Sequence, residues 1–130
     1  MKKVSFILSF LTLASILTYA QREIEAEGFK LKQYYFVMLT AGPNKEKIDS
    51  LKLQKIQAGH LENIRKMAKE GKLAIAGPFG DDGNWRGILI FDVDSEDEVR
   101  ELLKNDPSIQ AGRLSYEIHP WWTEKGSCLK

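Results

Sequence analysis

Two short segments of the chain are apolar in both alternating sets of positions, so neither side of a strand built from them can face water. The segments are residues 34–40 (YYFVMLT) and residues 87–93 (GILIFDV), and aromatic and β-branched side chains are frequent in both. Successive side chains of a strand point to opposite faces of the sheet. Strands that are apolar on both faces must be covered on both faces. This requirement limits the chain to folds in which a sheet is packed on both sides.

The order of the elements around these two segments predicts an α+β fold. A helical period runs from about residue 45 to residue 70, and a capping box formed by Ser95 and Glu98 begins a second, shorter helix. Two more strands are predicted at residues 72–76 and 113–119. The resulting order, strand–helix–strand–strand–helix–strand, is that of a ferredoxin-like unit. Such a unit has a four-stranded antiparallel sheet with both helices on one face and the first and third strands in the centre.

Two helices on one face leave the other face of this sheet uncovered. Because the central strands are also apolar on that face, we expect a homodimer in which two sheets pack against each other. The chain has 19 basic and 18 acidic residues and no basic block. Neither nucleic acid nor an acidic membrane surface is therefore expected as a partner.

Residues 1–20 are typical of a secretory signal peptide. Lys2 and Lys3 precede an apolar stretch that ends with small side chains at Thr18 and Ala20, so we expect cleavage after Ala20. A membrane anchor is the alternative, but a spanning helix needs about 20 predominantly apolar residues and several Ser and Thr residues interrupt this stretch. We therefore expect export to the periplasm or the medium, with no membrane attachment after cleavage.

Polar segments flank the predicted domain, which extends over residues 34–122. Residues 21–33 are mixed in charge and are interpreted as a linker or an N-terminal lead-in. Residues 123–130 form a polar C-terminal tail that contains Cys128, the single cysteine of the chain. No activating base lies near this cysteine in the sequence, so we expect a free surface thiol.

One of the two histidines, His60, lies on an apolar face of the long predicted helix. At about 100° per residue, Ile56 and Met67 fall on the same face. An imidazole buried there without a partner would cost roughly 1–3 kcal/mol. His60 therefore either has a structural hydrogen-bond partner or lines a cavity. Asp106 precedes Pro107, and this pair by itself is typical of an ordinary turn that ends a helix.

The sequence contains no pattern typical of a metal site or a cofactor-binding loop. The two histidines are far apart and no cysteine cluster accompanies them. The glycines after residue 76 match neither a phosphate-binding loop nor a dinucleotide fingerprint, and no nucleophile elbow occurs. We expect neither a metal nor a cofactor.

Taken together, several motifs resemble the YCII-related domain family over residues 34–122. They are a helix His about ten residues before a Gly, the turn Ala-Gly-Pro-Phe, the segment Asp-Pro-x-x-Ala-Gly, and a closing Glu-Ile-x-Pro-Trp. In this chain they occur within YYFVMLTAGP (residues 34–43), GHLENIRKMAKEGKLAIAGPF (residues 59–79), GILIFDVDSEDEVRELLKNDP (residues 87–107) and AGRLSYEIHPWW (residues 111–122).

The resemblance implies a ferredoxin-like domain that dimerises through its sheets and carries a His–Asp pair, which corresponds here to His60 and Asp106. Such a pair implies acid–base chemistry, an elimination or an isomerisation, on a small organic molecule. His60 would be the base, Asp106 would orient it, and Phe79 and Trp121 would wall the substrate pocket. The alternative is a non-catalytic dimeric module that binds a small ligand or has a structural role.

Overall fold

The two doubly apolar segments form the centre of one antiparallel sheet in the computed structural model, which describes residues 22–130. The predicted signal peptide lies outside the described residues. The strands are β1 (Glu23–Ala26), β2 (Phe29–Ala41), β3 (Leu73–Pro78), β4 (Trp85–Phe91) and β5 (Leu114–Glu124). The helices are α1 (Ser50–Lys69), α2 (Glu96–Lys104) and α3 (Pro107–Gln110), and a 3₁₀ turn covers Lys45–Lys47.

The strand order across the main sheet is β3-β4-β2-β5, and every neighbouring pair is antiparallel. This arrangement confirms the ferredoxin-like α+β fold and places the two doubly apolar strands, β2 and β4, in the centre. The short strand β1 pairs with the first residues of β2 as a hairpin. Helix α1 connects β2 to β3, and helices α2 and α3 connect β4 to β5.

The main core lies between the sheet and the helices. Helix α2 begins where the sequence predicts, because the Ser95 hydroxyl accepts a hydrogen bond from the Glu98 N–H at 3.2 Å. The core is formed by fully or almost fully buried side chains from the sheet, from α1, from α2 and from the connection between β4 and α2: Val37, Leu39, Met67, Leu73, Leu89, Phe91, Val93, Val99, Leu103 and Leu114.

The opposite face of the sheet, which we call the open face, carries apolar side chains that no helix covers. The cross-strand pair of Phe36 and Ile90 belongs to it, as does the pair of Tyr34 and Trp121. The C-terminal tail returns to this face, where residues 127–129 line a cavity of about 420 Å³. The tail cysteine, Cys128, is exposed and unbonded to another cysteine, which confirms the predicted free thiol. The homodimer stays a prediction.

The predicted linker or lead-in covers residues 21–33, and in its described part, residues 22–33, most residues are in strands. The polar side chains of this segment gave no alternating apolar pattern, and β1 is exposed along its whole length. Contacts between charged side chains stabilise the segment instead. Arg22 lies 2.5 Å from a carboxylate oxygen of Asp92 and 2.8 Å from Asp94, and Lys32 lies 2.7 Å from the other oxygen of Asp92.

These contacts make Asp92 a source of pH-dependent stability. Partial burial opposes ionisation of this carboxyl, but the hydrogen bonds from Lys32 and Arg22 outweigh burial and lower the pKa of Asp92 below its ordinary value. A carboxyl whose pKa is lowered by folding stabilises the fold above its ordinary pKa, and this stabilisation is lost as the pH falls through the folded-state pKa.

We expect Asp92→Asn to lower the free energy of unfolding by about 1 kcal/mol at pH 7, a modest value because the carboxylate keeps contact with water. The difference from the wild type should narrow below about pH 4. Urea titrations at pH 7, 5 and 3 measure it. Glu25→Gln is the matched control, because Glu25 lies 3.9 Å from Lys30 with both side chains over 70% exposed. If the variant's unfolding free energy lies below that of the wild type by the same amount at pH 3 and pH 7, the prediction is wrong.

No helix within residues 22–130 is long and apolar enough to cross a membrane. The longest, α1, exposes the apolar side chains of Leu51 and Leu61 among polar ones.

Candidate active site

His60 lies in the middle of α1 with its ring turned toward the sheet. Asp49 begins this helix, since its carboxylate accepts a hydrogen bond from the Lys52 N–H at 2.9 Å. His60 is 8% exposed and is buried on the same helix as Ile56 and Met67. The structure therefore places the imidazole where the apolar face of the helix predicts it.

Asp106 begins a helix rather than only ending one. One of its carboxylate oxygens, Oδ1, accepts a hydrogen bond from the Ser108 N–H at 2.9 Å, and Pro107 occupies the first position of α3. The sequence interpretation recognised the end of α2 but missed this four-residue helix. Asp106 is fully buried, so its carboxylate depends entirely on protein groups for hydrogen bonds.

The two predicted residues meet within one chain. His60 Nδ1 lies 2.7 Å from Asp106 Oδ2, and the Asn63 side-chain amide donates to the same oxygen at 3.3 Å. A carboxylate can only accept these bonds, so the proton of the neutral imidazole is on Nδ1 and the lone pair is on Nε2. Asn63, one turn after His60, is a member of this group that the sequence analysis did not identify.

The ring of His60 borders a cavity of about 270 Å³ between α1 and the sheet. Among the described residues, none forms a hydrogen bond with Nε2 of His60. Four lining residues have polar side chains, namely Gln57, His60, Arg86 and Arg113. The large apolar residues of the lining are Leu39, Leu61, Ile64, Pro78, Ile88, Leu89 and Leu114. A buried carboxylate on one ring nitrogen and a free lone pair beside a cavity form an arrangement suited to general-base chemistry.

Phe79 and Trp121 do not line this cavity, and their place in a substrate pocket stays a prediction. Trp121 pairs across β5 and β2 with Tyr34 and lies on the open face, whereas the cavity lies on the helix face. Phe79 follows the end of β3, and its ring centroid is 6.1 Å from that of Trp85 beside a separate depression. Aromatic composition alone could not indicate which face each ring occupies.

No group of three or more His, Cys, Asp or Glu side chains within the described part of the chain could hold a metal ion. The imidazole and carboxylate of the candidate site are bonded to each other instead.

A close approach at Gly59 allows Asp106 to reach His60. A Cβ atom added at Gly59 would lie 2.8 Å from Cγ of Pro107, which is closer than carbon atoms pack. Gly in a helix interior costs about 1 kcal/mol relative to Ala. The glycine is therefore best explained by its contact with α3, which holds Asp106 one residue away from Pro107.

We expect Gly59→Ala to push α3 outward, because the proline ring cannot rotate away. Overpacking and the better helix propensity of Ala oppose each other, so the net loss of unfolding free energy should be about 1 kcal/mol. The ¹H resonance of the His60 Nδ1–H should shift upfield as the bond to Asp106 lengthens.

The control is a double substitution, Gly59→Ala with Pro107→Ala, which removes the contacting ring. In the double variant, the Nδ1–H resonance should return most of the way to its wild-type position. This result would give a favourable coupling between the two positions. If Gly59→Ala leaves the resonance where it is in the wild type, the packing explanation is wrong.

Comparisons with known proteins agree with this fold. The YCII-related domain matches residues 34–122. The uncharacterized protein YjpA of Bacillus subtilis (strain 168) is 30% identical over 92 residues, which cover 71% of this chain and 99% of that protein. The chain is also similar to a solved structure, the 5-chloro-2-hydroxyhydroquinone dehydrochlorinase TftG from Burkholderia phenoliruptrix AC1100 in complex with 2,5-dihydroxybenzoquinone. The TM-score is 0.53 at 21% identity, and the match covers 68% of this chain and 92% of TftG.

Proposed function

We propose, from the premise that this chain belongs to the YCII-related domain family, that it is an acid–base enzyme that transfers protons on a small organic molecule. The reaction class is elimination or isomerisation. The observation that carries the proposal is the buried bond between His60 Nδ1 and Asp106 Oδ2, 2.7 Å long, beside a cavity that the same imidazole lines.

His60 would act through Nε2. Its lone pair takes a proton from a carbon next to an electron-withdrawing group, and the C–H electron pair then forms an enolate or expels a leaving group. The ring becomes an imidazolium, whose charge the Asp106 carboxylate stabilises. In an isomerisation the proton returns to a different carbon, and in an elimination it is released to water.

The structural neighbour supports this reaction class. TftG is named as a dehydrochlorinase, and removal of hydrogen chloride from an organic molecule requires a group that accepts a proton. Because the fold is shared, we propose the same type of chemistry for this chain. The cavity, at about 270 Å³, suits a molecule of one ring rather than a polymer.

The test is a panel of small molecules incubated with the full-length protein. Chloride release from 5-chloro-2-hydroxyhydroquinone measures elimination, and deuterium incorporation into small ketones in D₂O, followed by NMR, measures proton abstraction. At least one substrate should react about 10² to 10⁴ times faster than in buffer, the range expected for a positioned base. Rates equal to buffer across the panel would contradict the proposal.

Two copies of the chain would assemble through the open face. Support comes from the apolar cross-strand pairs on that face, which include Phe36 and Ile90, and from the 41% exposure of Trp121. Sedimentation equilibrium would show a mass twice that of the chain. A monomer at all concentrations would contradict the assembly.

Export, indicated by residues 1–20, is part of the same proposal. N-terminal sequencing of the mature protein should begin at Gln21, and an intact Met1 on the purified cellular protein would contradict it.

A further inference from the structure

The charged groups that line the cavity beside His60 point to one class of substrate. Apart from the imidazole, the ionisable side chains in the lining are those of Arg86 and Arg113. No described lining residue carries a carboxylate. Both guanidinium groups are half-buried, and neither has an anionic partner among residues 22–130. A half-buried guanidinium is less favourable without such a partner than with one.

Arg113 is held at the cavity by neutral groups. Its Nη1 donates to the side-chain oxygen of Gln57 at 2.8 Å, and Gln57 lies one turn before His60 on α1. Its backbone N–H donates to the Ser108 carbonyl at 2.9 Å, and its carbonyl accepts from the Gly42 N–H at 2.8 Å. The guanidinium is therefore positioned over the same helix face as the imidazole, while most of its five N–H donors have no acceptor among the residues that the structure describes.

Arg86 reaches the cavity because β4 is irregular at this residue. Gly87 pairs with Leu39 and Trp85 pairs with Thr40, so Arg86 is an extra residue without a partner on β2. Such a bulge redirects a side chain that strict alternation would place on the other face. Its Nη1 donates to the Gly83 carbonyl at 3.2 Å, again a neutral oxygen. Bulges are frequent beside active sites for this reason.

We propose that Arg86 and Arg113 bind the negatively charged oxygen atoms of the substrate, so that the cavity selects a small organic anion, a carboxylate or an enolate-type oxyanion, over its neutral analogue. This inference rests on the proposed function, since it concerns the same cavity. The guanidinium groups hold the anion and, in an enolate, also stabilise the charge that develops when His60 removes the proton. Apolar lining residues contact the rest of the ring or chain.

The test compares matched ligands that differ in charge. Dissociation constants of benzoate and benzamide, and separately of 4-nitrophenolate and 4-nitroanisole, are measured by calorimetry on the full-length protein. At least one anion should bind about tenfold more tightly than its neutral partner, and this preference should decrease with added NaCl. The pair that shows the preference distinguishes a carboxylate site from an enolate-type site. Equal affinities in both pairs, or binding of neither anion, overturn the inference.

Variants then assign the preference to the two arginines. Replacing both with Met retains the apolar stems and should abolish the preference for the anion. Replacing both with Lys keeps the positive charges and should retain part of the preference, and this variant keeps the test valid if the Met variant unfolds. The matched control is Arg65→Met, because Arg65 is an exposed arginine of α1 outside the cavity lining. Preference that survives in the double Met variant overturns the inference.

A binding readout separates this inference from the proposed catalysis. His60→Gln should still prefer the anion, because the arginines remain. Anion preference in a wild-type protein that accelerates no proton transfer would support the anion site and contradict only the acid–base function. Proton transfer without any anion preference would support the acid–base function and contradict the anion site.

Discussion

Replacing His60 with glutamine is expected to lower the turnover of any substrate found in the panel by about 10² to 10⁴-fold. Glutamine has no side-chain nitrogen that accepts a proton near neutral pH, but its amide can still donate a hydrogen bond to the Asp106 carboxylate. The substitution therefore removes the base and retains a partner for the buried carboxylate. The initial rate under saturating substrate measures the loss, and circular dichroism checks the fold.

The other histidine provides the matched control. The side chain of His119 is 62% exposed and lies 3.7 Å from the Glu117 carboxylate on β5, away from the cavity. His119→Gln should keep the wild-type rate. If His60→Gln also keeps it, another group is the base, and the hydrogen-bonded imidazole has a purely structural role.

Replacing Asp106 with alanine should cause the largest loss of stability, about 3–5 kcal/mol, which is the range for breaking a fully buried interaction of a charged group. The change removes three hydrogen bonds at once: those from His60, from Asn63 and from the Ser108 N–H that begins α3. Urea unfolding at pH 7 measures the difference. Asp106→Ala is therefore a test of folding more than of catalysis.

Asp106→Asn separates the two roles of this residue. Asparagine begins helices about as well as aspartate, so α3 should persist and most of the stability should be retained. An amide cannot stabilise the imidazolium as a carboxylate does, and its NH₂ group can favour the wrong tautomer of His60. We expect a decrease in turnover of about 10² to 10⁴-fold with a much smaller change in the unfolding free energy than in Asp106→Ala.

Ser108→Ala is the control for both variants. The Ser108 hydroxyl is buried and has no hydrogen-bond partner among the residues that the structure describes. Its removal should change the unfolding free energy by less than about 1 kcal/mol and leave turnover unchanged. A loss as large as that of Asp106→Ala would mean that the region is sensitive to any substitution, and the effect at Asp106 could not be assigned to its carboxylate.

The sheet and its long helix were predictable from local patterns. Segments apolar in both alternating sets of positions had to be central strands, and the Ser95 capping box correctly began α2. The hairpin of β1 and β2 was not predictable, because charged contacts to the distant Asp92 stabilise it and polar residues carry no apolar period. Long-range ion pairs leave no periodic trace in a sequence.

The candidate site was predictable only in part. His60 stood out as a polar residue on an apolar helix face, while Asp106 gained its role from the family resemblance. The pair Asp106-Pro107 could also have indicated a helix beginning, since Pro favours the first helical position. Arg86 could not be assigned to the cavity, because the strand bulge that brings it there depends on the pairing of β4 with β2.

Helix α3 has only four residues, and a helix of this length is not stable in water without tertiary contacts. Asp106 directly precedes α3 and Arg113 lies three residues after its end, so one short segment of the chain carries both side chains. A local opening of this segment would detach both groups together while the central strands stay paired. Heat would then inactivate the protein at a temperature below that of global melting, and amide hydrogens of residues 108–112 would exchange with solvent earlier than those of β2 and β4.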